Sequence, residues 1–266
     1  SSPWINLRAP PPVSDRNTPT SFPTTMTGNI DQHVSPRATR RILWAIIGLA
    51  MLLGAARLWL DHPSLMDDQT GTWWPISVSV ADGQGFVECA VDYFPFCGPG
   101  NDATAMREPA PVYFFAAVAS IARSLWLAAI VQLVLQALVI LVIHRLVREV
   151  ASERAALIAA AMWAVYLPGL IVVQEVAGDV LATLTVTLGL WCYLRAMRTG
   201  RSAQWVVAGL CMGLASLSRS VLLFTSVPLA LGILWQMRGT QHTIAARIRP
   251  LVVFALAWSI TMAPWV

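Results

Sequence analysis

From Ile42 onward the chain is dominated by long, nearly unbroken apolar runs, separated by short polar segments in which arginine recurs. As helices rising 1.5 Å per residue, such runs can cross a hydrocarbon core of about 30 Å, which takes roughly 17–25 residues. A lipid-exposed backbone must satisfy its own hydrogen bonds, which leaves helices or a closed barrel. The alternating segments of about ten residues that mark barrel strands are missing here, so the pattern predicts an all-α, polytopic transmembrane helix bundle.

Arginine sets the orientation. Four groups recur, Arg37/Arg40/Arg41, Arg145/Arg148/Arg154, Arg195/Arg198/Arg201 and Arg238/Arg247/Arg249. If all four are cytoplasmic, each successive pair encloses an even number of crossings, which gives about seven helices. They are expected near 42–60, 126–144, 155–173, 180–197, 203–218, 221–236 and 250–266. The run from Pro111 to Ile121 is shorter than the roughly 17 residues a crossing needs. With its aromatic Tyr113-Phe114-Phe115 it is assigned to an interfacial helix within a long outer loop, 61–125. The alternative, an eighth crossing, would put the second arginine group outside.

Residues 1–41 are rich in Pro, Ser, Thr and Asn without apolar periodicity and read as a disordered cytoplasmic tail, with Met26 a candidate natural start. The first apolar run is too long for a signal peptide and reads as a retained anchor.

Composition agrees with the pattern. The chain is 56% hydrophobic and 12% charged, with mean hydropathy +0.61, against about 25% charged residues in soluble domains. A net charge of +4 comes from arginines flanking apolar runs, which argues for membrane orientation and against a nucleic-acid partner. Cys192 and Cys211 fall within apolar runs, whereas Cys89 and Cys97 share the first outer loop, where a disulfide can persist. Spacing leaves that pair bridged or free.

In this topology the acids collect on the outer side. Asp67, Asp68 and Glu108 fall in the first outer loop, Glu175 and Asp179 in the turn between the third and fourth helices, and Arg219 between the fifth and sixth. A charge in the membrane costs about 2.5–3.5 kcal/mol on insertion scales, so it tends to face a cavity, a partner or a substrate. Each also has a simpler role: Asp67, Asp68 or Asp179 as helix caps, Arg107–Glu108 as a surface ion pair, Glu175 as a solvated side chain, and Arg57 or Arg219 snorkelling to headgroups. P-loop, dinucleotide-loop, zinc and nucleophile-elbow patterns are absent from the sequence, and the four histidines are scattered. A metal, if bound, would be Mg or Mn on carboxylates such as Glu108 and Asp68.

The order of these features resembles the glycosyltransferase C superfamily, in its protein mannosyltransferase and aminoarabinose transferase branch. Asp67-Asp68, followed by Ser79-Val80-Ala81-Asp82-Gly83-Gln84-Gly85-Phe86, is similar to that family's acidic motif in the first outer loop. Arg107-Glu108-Pro109-Ala110-Pro111-Val112-Tyr113 resembles its proline-rich juxtamembrane stretch, and Tyr166-Leu167-Pro168 leading to Asp179 its Tyr-Pro-Pro segment. The run Ala208 to Arg219 is similar to its glycine-rich helix, and Ala263-Pro264-Trp265 to its Pro-Trp. Two positions depart: Trp73 and Trp74 stand where a tyrosine is expected, and Ser220 replaces the proline after Arg219.

The resemblance implies transfer of a sugar from a polyprenyl-phosphate donor to a protein, lipid or glycan acceptor on the non-cytoplasmic face of a bacterial inner membrane. It covers about residues 42–266 and implies further helices beyond this sequence. It makes Asp68 the first candidate catalytic carboxylate and Asp67 the second; Arg219, Arg107, Arg57, Asp179 and Glu175 are candidate substrate-binding residues, and Glu108 a candidate metal ligand. The competing classes are a transporter or flippase, which would show paired broken helices in related halves, and a noncatalytic assembly protein of the same fold.

Overall fold

The computed structural model describes residues 35–64, 68–87, 107–236 and 244–265. The expected tail up to residue 34, Asp67, and both Cys89 and Cys97 lie outside the described residues, as does the side chain of Asp68. The described chain is all-helical. Its elements are α1 (Pro36–Leu60), α2 (Asp68–Ala81), α3 (Pro109–Ile121), α4 (Leu125–Val150), α5 (Glu153–Ala164), α6 (Leu167–Val172), α7 (Asp179–Thr199), α8 (Ser202–Ser218), α9 (Ser226–Gln236) and α10 (Ile244–Met262). A 3-10 turn, Ser220–Thr225, precedes α9, and another, Ala263–Trp265, follows α10.

Local chemistry sets these boundaries. The Ser124 hydroxyl accepts the Leu127 N–H at the start of α4, and the Ser152 hydroxyl accepts the Ala155 N–H at the start of α5. Gly200, at φ +67, ends α7 in the left-handed conformation. Pro109 opens α3, where its missing N–H has no helical partner to lose.

Among the described residues, four stretches are long and apolar enough to span: Pro36–Leu60, Leu125–Val150, Asp179–Thr199 and Ile248–Trp265. The other expected crossings are shorter or broken. The helix expected over 155–173 is interrupted after Ala164, because Pro168 has no N–H to donate to the Ala164 carbonyl and its ring would clash there; it sits instead in the first turn of α6. The segment expected over 221–236 starts as a 3-10 turn before α9, and α8 has 17 residues. The first helix starts at Pro36 instead of Ile42, so Arg37, Arg40 and Arg41 belong to it.

The segment expected as an outer loop contains a helix that the apolar pattern does not reveal. Trp73 and Ile76 of α2 are buried against Val112 and Phe115 of α3, with Ala128 of α4 and Val176 completing the cluster. The Thr70 hydroxyl accepts the buried Val176 N–H at 3.0 Å, fixing the first turn of α2 against the segment that leads into α7.

The remaining helices pack through small residues. A Cβ on Gly209 would lie 2.4 Å from the Phe254 carbonyl oxygen, and one on Gly213 would lie 2.6 Å from Thr261 Cβ. This Gly-x-x-x-Gly stripe brings α8 and α10 backbone to backbone, the usual device where lipid removes the hydrophobic drive between helices. Trp44, Leu52, Ile130, Val134, Leu138 and Leu256 remain exposed, as lipid-facing positions should.

Candidate active site

Arg219 is the residue at which α8 ends. Its N–H still bonds the Ala215 carbonyl at 2.9 Å, but its backbone has turned extended, at φ −149 and ψ 114. Freed from the helix, its side chain reaches Asp179, the first residue of α7. Arg219 Nε donates to Asp179 Oδ1 at 2.7 Å and Nη2 donates to Oδ2, a two-pronged pair between residues forty positions apart. A carboxylate in the first turn of α7 is also favoured by the helix dipole.

The approach is enforced by Gly178. A Cβ there would sit 2.6 Å from the Ser218 carbonyl oxygen and 2.8 Å from Pro111 Cγ, so only glycine lets α3, α7 and α8 meet so closely. Through this junction Glu108 joins the group: its Oε1 accepts the Ser220 N–H at 3.4 Å. Glu108, Asp179, Arg219 and Ser220 thus come together from three separate parts of the sequence.

The other candidates are distributed around this group. Arg107, next to Glu108, has a buried Nε without a hydrogen-bond partner. Glu175 lies in the turn before α7, where its main-chain oxygen accepts from the Gln132 side chain. Arg57, in the last turn of α1, pairs with Asp61 at 2.5 Å instead of entering the Asp179–Arg219 pair. It is at the same end of the bundle, since neighbouring Leu58 packs with Val173 and Val180. Asp68 is the first residue of α2, whose Thr70 is bonded to Val176, three positions before Asp179.

Leu181 and Leu217, each two residues from a member of the pair, reach an apolar cavity of about 450 Å³ on the face of α7 opposite Asp179. Tyr113 and Phe114 of α3, Leu181 of α7, Leu214 and Leu217 of α8, and Trp265 line it. Phe86 contacts both Tyr113 and Trp265, with ring centroids 6.2 and 5.2 Å apart. Three segments that sequence alone could place only in order, those around Phe86, Tyr113 and Trp265, therefore touch.

The pair's strength is not its point. Both side chains are about one-third exposed, at 29% and 39%, and such pairs in water contribute only about 0.2–1 kcal/mol. Its geometry matters more: Asp179 holds the guanidinium rigid while its remaining N–H groups stay available to an anion.

The described residues do not build a divalent-cation cage. No group of three or more His, Cys, Asp or Glu capable of holding a metal occurs among them, and Asp179 already faces a guanidinium.

At the far end, Glu149 ties α4 to α7. It accepts from Arg198 at 2.8 Å and from Trp191 Nε1 at 3.3 Å, while Arg145 and Arg195 lie over the Trp191 ring at 5.5 and 5.3 Å. The second and third arginine groups therefore share the end opposite Asp179 and Arg219.

Sequence reading missed Gln132, Gln136 and Trp163, all buried or half-buried near this site. The available signal was two glutamines one turn apart in an apolar run.

A family model described as dolichyl-phosphate-mannose-protein mannosyltransferase matches residues 106–266, more than half of the chain. The match includes Glu108, Asp179, Arg219 and Trp265, and begins after Asp67 and Asp68. No curated protein and no solved structure matches the chain. The chain belongs to the dolichyl-phosphate-mannose-protein mannosyltransferase family of the glycosyltransferase C superfamily and is a membrane glycosyltransferase.

Proposed function

We propose that the chain transfers a sugar from a polyprenyl-phosphate carrier to a protein, lipid or glycan acceptor on the non-cytoplasmic face of the membrane. The observation that carries this reading is the Asp179–Arg219 pair at the ends of α7 and α8, the two helices whose Leu181 and Leu217, each two residues from the pair, line an apolar cavity. A phosphate needs a fixed cationic fork and an isoprenoid needs an apolar groove, and α7 and α8 contribute residues to both.

In this mechanism the Arg219 guanidinium, with Arg107 and Arg57 nearby, receives the phosphate oxygens. The isoprenoid enters the cavity between α3, α7, α8 and α10. An acceptor oxygen or nitrogen attacks the anomeric carbon, and the bond from that carbon to the phosphate oxygen breaks. The electron pair leaves on the phosphate, where Arg219 stabilises it. The acceptor's proton passes to a carboxylate, for which Asp68 is the first candidate and Asp67 the second. Asp179 is a positioning residue for Arg219, Glu175 lines the approach, and Glu108 orients the Ser220 backbone. Glu108 is the candidate ligand for a divalent cation, Mg or Mn.

In this reading α3 lies along the outer surface. Its 13 residues span about 20 Å at 1.5 Å each, short of the ~30 Å hydrocarbon core.

The test is transfer of labelled sugar from polyprenyl-phosphate donors by the full-length protein in lipid nanodiscs. Asp68→Asn should lower turnover by roughly 10²–10⁴-fold, the range for a general base. Undiminished turnover would remove Asp68 from its role.

A further inference from the structure

Two glutamines, Gln132 and Gln136, sit one turn apart on α4, only 1% and 2% exposed. A buried amide without a hydrogen bond costs roughly 2–7 kcal/mol, depending on the reference state. Gln132 offsets this in part with its Nε2, which donates to the Val173 and Glu175 carbonyls and braces the turn before α7, while its Oε1 is buried without a partner. Gln136 does not, because its Nε2 is buried and has no hydrogen-bond partner.

Gln136 lines a second cavity, of about 240 Å³, formed by α4, α5, α6 and α7. On α7 this cavity touches Asp179, Val180 and Thr183, whereas the apolar one touches Leu181 and Thr185. At about 100° per residue these sets lie on opposite faces of the helix. Trp163 adds a second buried donor without a partner, its Nε1. Its ring stacks on Tyr166, with centroids 5.2 Å apart and planes at 29°. Gly169 keeps the space open, since a Cβ there would lie 2.9 Å from Gln136 Nε2 and 3.2 Å from the Tyr166 ring.

The occupant must therefore accept hydrogen bonds from an amide and an indole and present an apolar face to an aromatic ring. It must also donate to Asp179, whose carboxylate keeps lone pairs beyond those that Arg219 uses. Water would leave the aromatic face unused, and an acyl chain would leave both donors unsatisfied. A phosphate dianion has no donor to offer the Asp179 carboxylate and no apolar face for the ring. A sugar ring meets every demand, and the volume, below the ~300 Å³ lower end of ordinary ligand pockets, suits a single ring.

We propose that the Gln136–Trp163–Tyr166 cavity binds one pyranose ring, held by Gln136 and Trp163 as donors and Asp179 as acceptor. The choice of a sugar rests on the glycosyltransferase reading above. The ring can belong to the lipid-linked donor or to a glycan acceptor.

The experiment is saturation-transfer NMR on the full chain in nanodiscs, with methyl α-mannopyranoside, methyl α-glucopyranoside and methyl α-galactopyranoside as probes. At least one should receive saturation at its ring protons, with the signal reduced fivefold or more in Gln136→Leu and Gly169→Ala. Trp163→Phe keeps a ring and removes the N–H, so a reduced signal there carries the test should Gln136→Leu fold poorly. Displacement by polyprenyl-phosphate sugar but not by sugar-free polyprenyl phosphate assigns the pocket to the donor ring, and displacement by neither assigns it to the acceptor. Displacement by sugar-free polyprenyl phosphate, no saturation of any glycoside, or equal signals in wild type and variants would overturn the proposal. The readout is binding, so it can fail while Asp68→Asn still abolishes turnover, or succeed while the transfer reading fails.

Discussion

Arg219 makes the sharpest prediction at the scale of single residues. Its fork is held by Asp179 through Nε and Nη2, a geometry that lysine cannot reproduce. Arg219→Lys should lower kcat/KM for the donor by about 10²-fold or more, the scale seen when a preorganised transition-state donor is lost. Asp179→Asn should lower it less, since the positive charge remains while its orientation loosens. A double-mutant cycle should then show strong non-additivity, and additive losses would mean that the two residues act independently. These charges were legible in the sequence because charge is costly in a membrane. Gln132, Gln136 and Trp163 were not, because an uncharged amide or an indole barely disturbs an apolar run.

Among the elements, the junction at Gly178 governs the site. Gly178→Ala places a methyl against the Ser218 carbonyl and Pro111, and backbone cannot yield as a flexible side chain does. Overpacking of this kind costs typically 1–3 kcal/mol, so thermal unfolding in detergent should shift to lower temperature and donor turnover should fall with it. Gly209→Val should weaken the packing of α8 on α10 in the same way, and unchanged unfolding midpoints in both variants would contradict the close approach. Most helix positions were legible from apolar runs, since length and hydrophobicity suffice to locate them. The break between α5 and α6 was not, although Pro168 stood in plain view, because the run Leu167–Val173 stays apolar across it. α2 was hidden for the opposite reason. Its Thr and Ser residues dilute the apolar signal, and what holds it is the burial of Trp73 and Ile76 against α3, a tertiary effect.

For the whole molecule, charge separates the two ends of the bundle. Arg145, Arg195 and Arg198 gather around Glu149 and Trp191 at one end, while Glu108, Asp179 and Arg219 meet at the other. The even number of crossings inferred between arginine groups had already placed these sets apart. Why Asp179 and Arg219 should touch was not legible, because the contact depends on the turn at Gly178 and on the end of α8. We propose that the second end faces away from the cytoplasm and houses the chemistry. This is tested most directly by membrane-impermeant maleimide labelling of single cysteines, introduced at Ser220 and at Thr199 in a cysteine-free chain in intact cells. The cysteine at 220 should be labelled from outside and the one at 199 only after permeabilisation. Labelling of 199 from outside with 220 protected, or of both together, would contradict it.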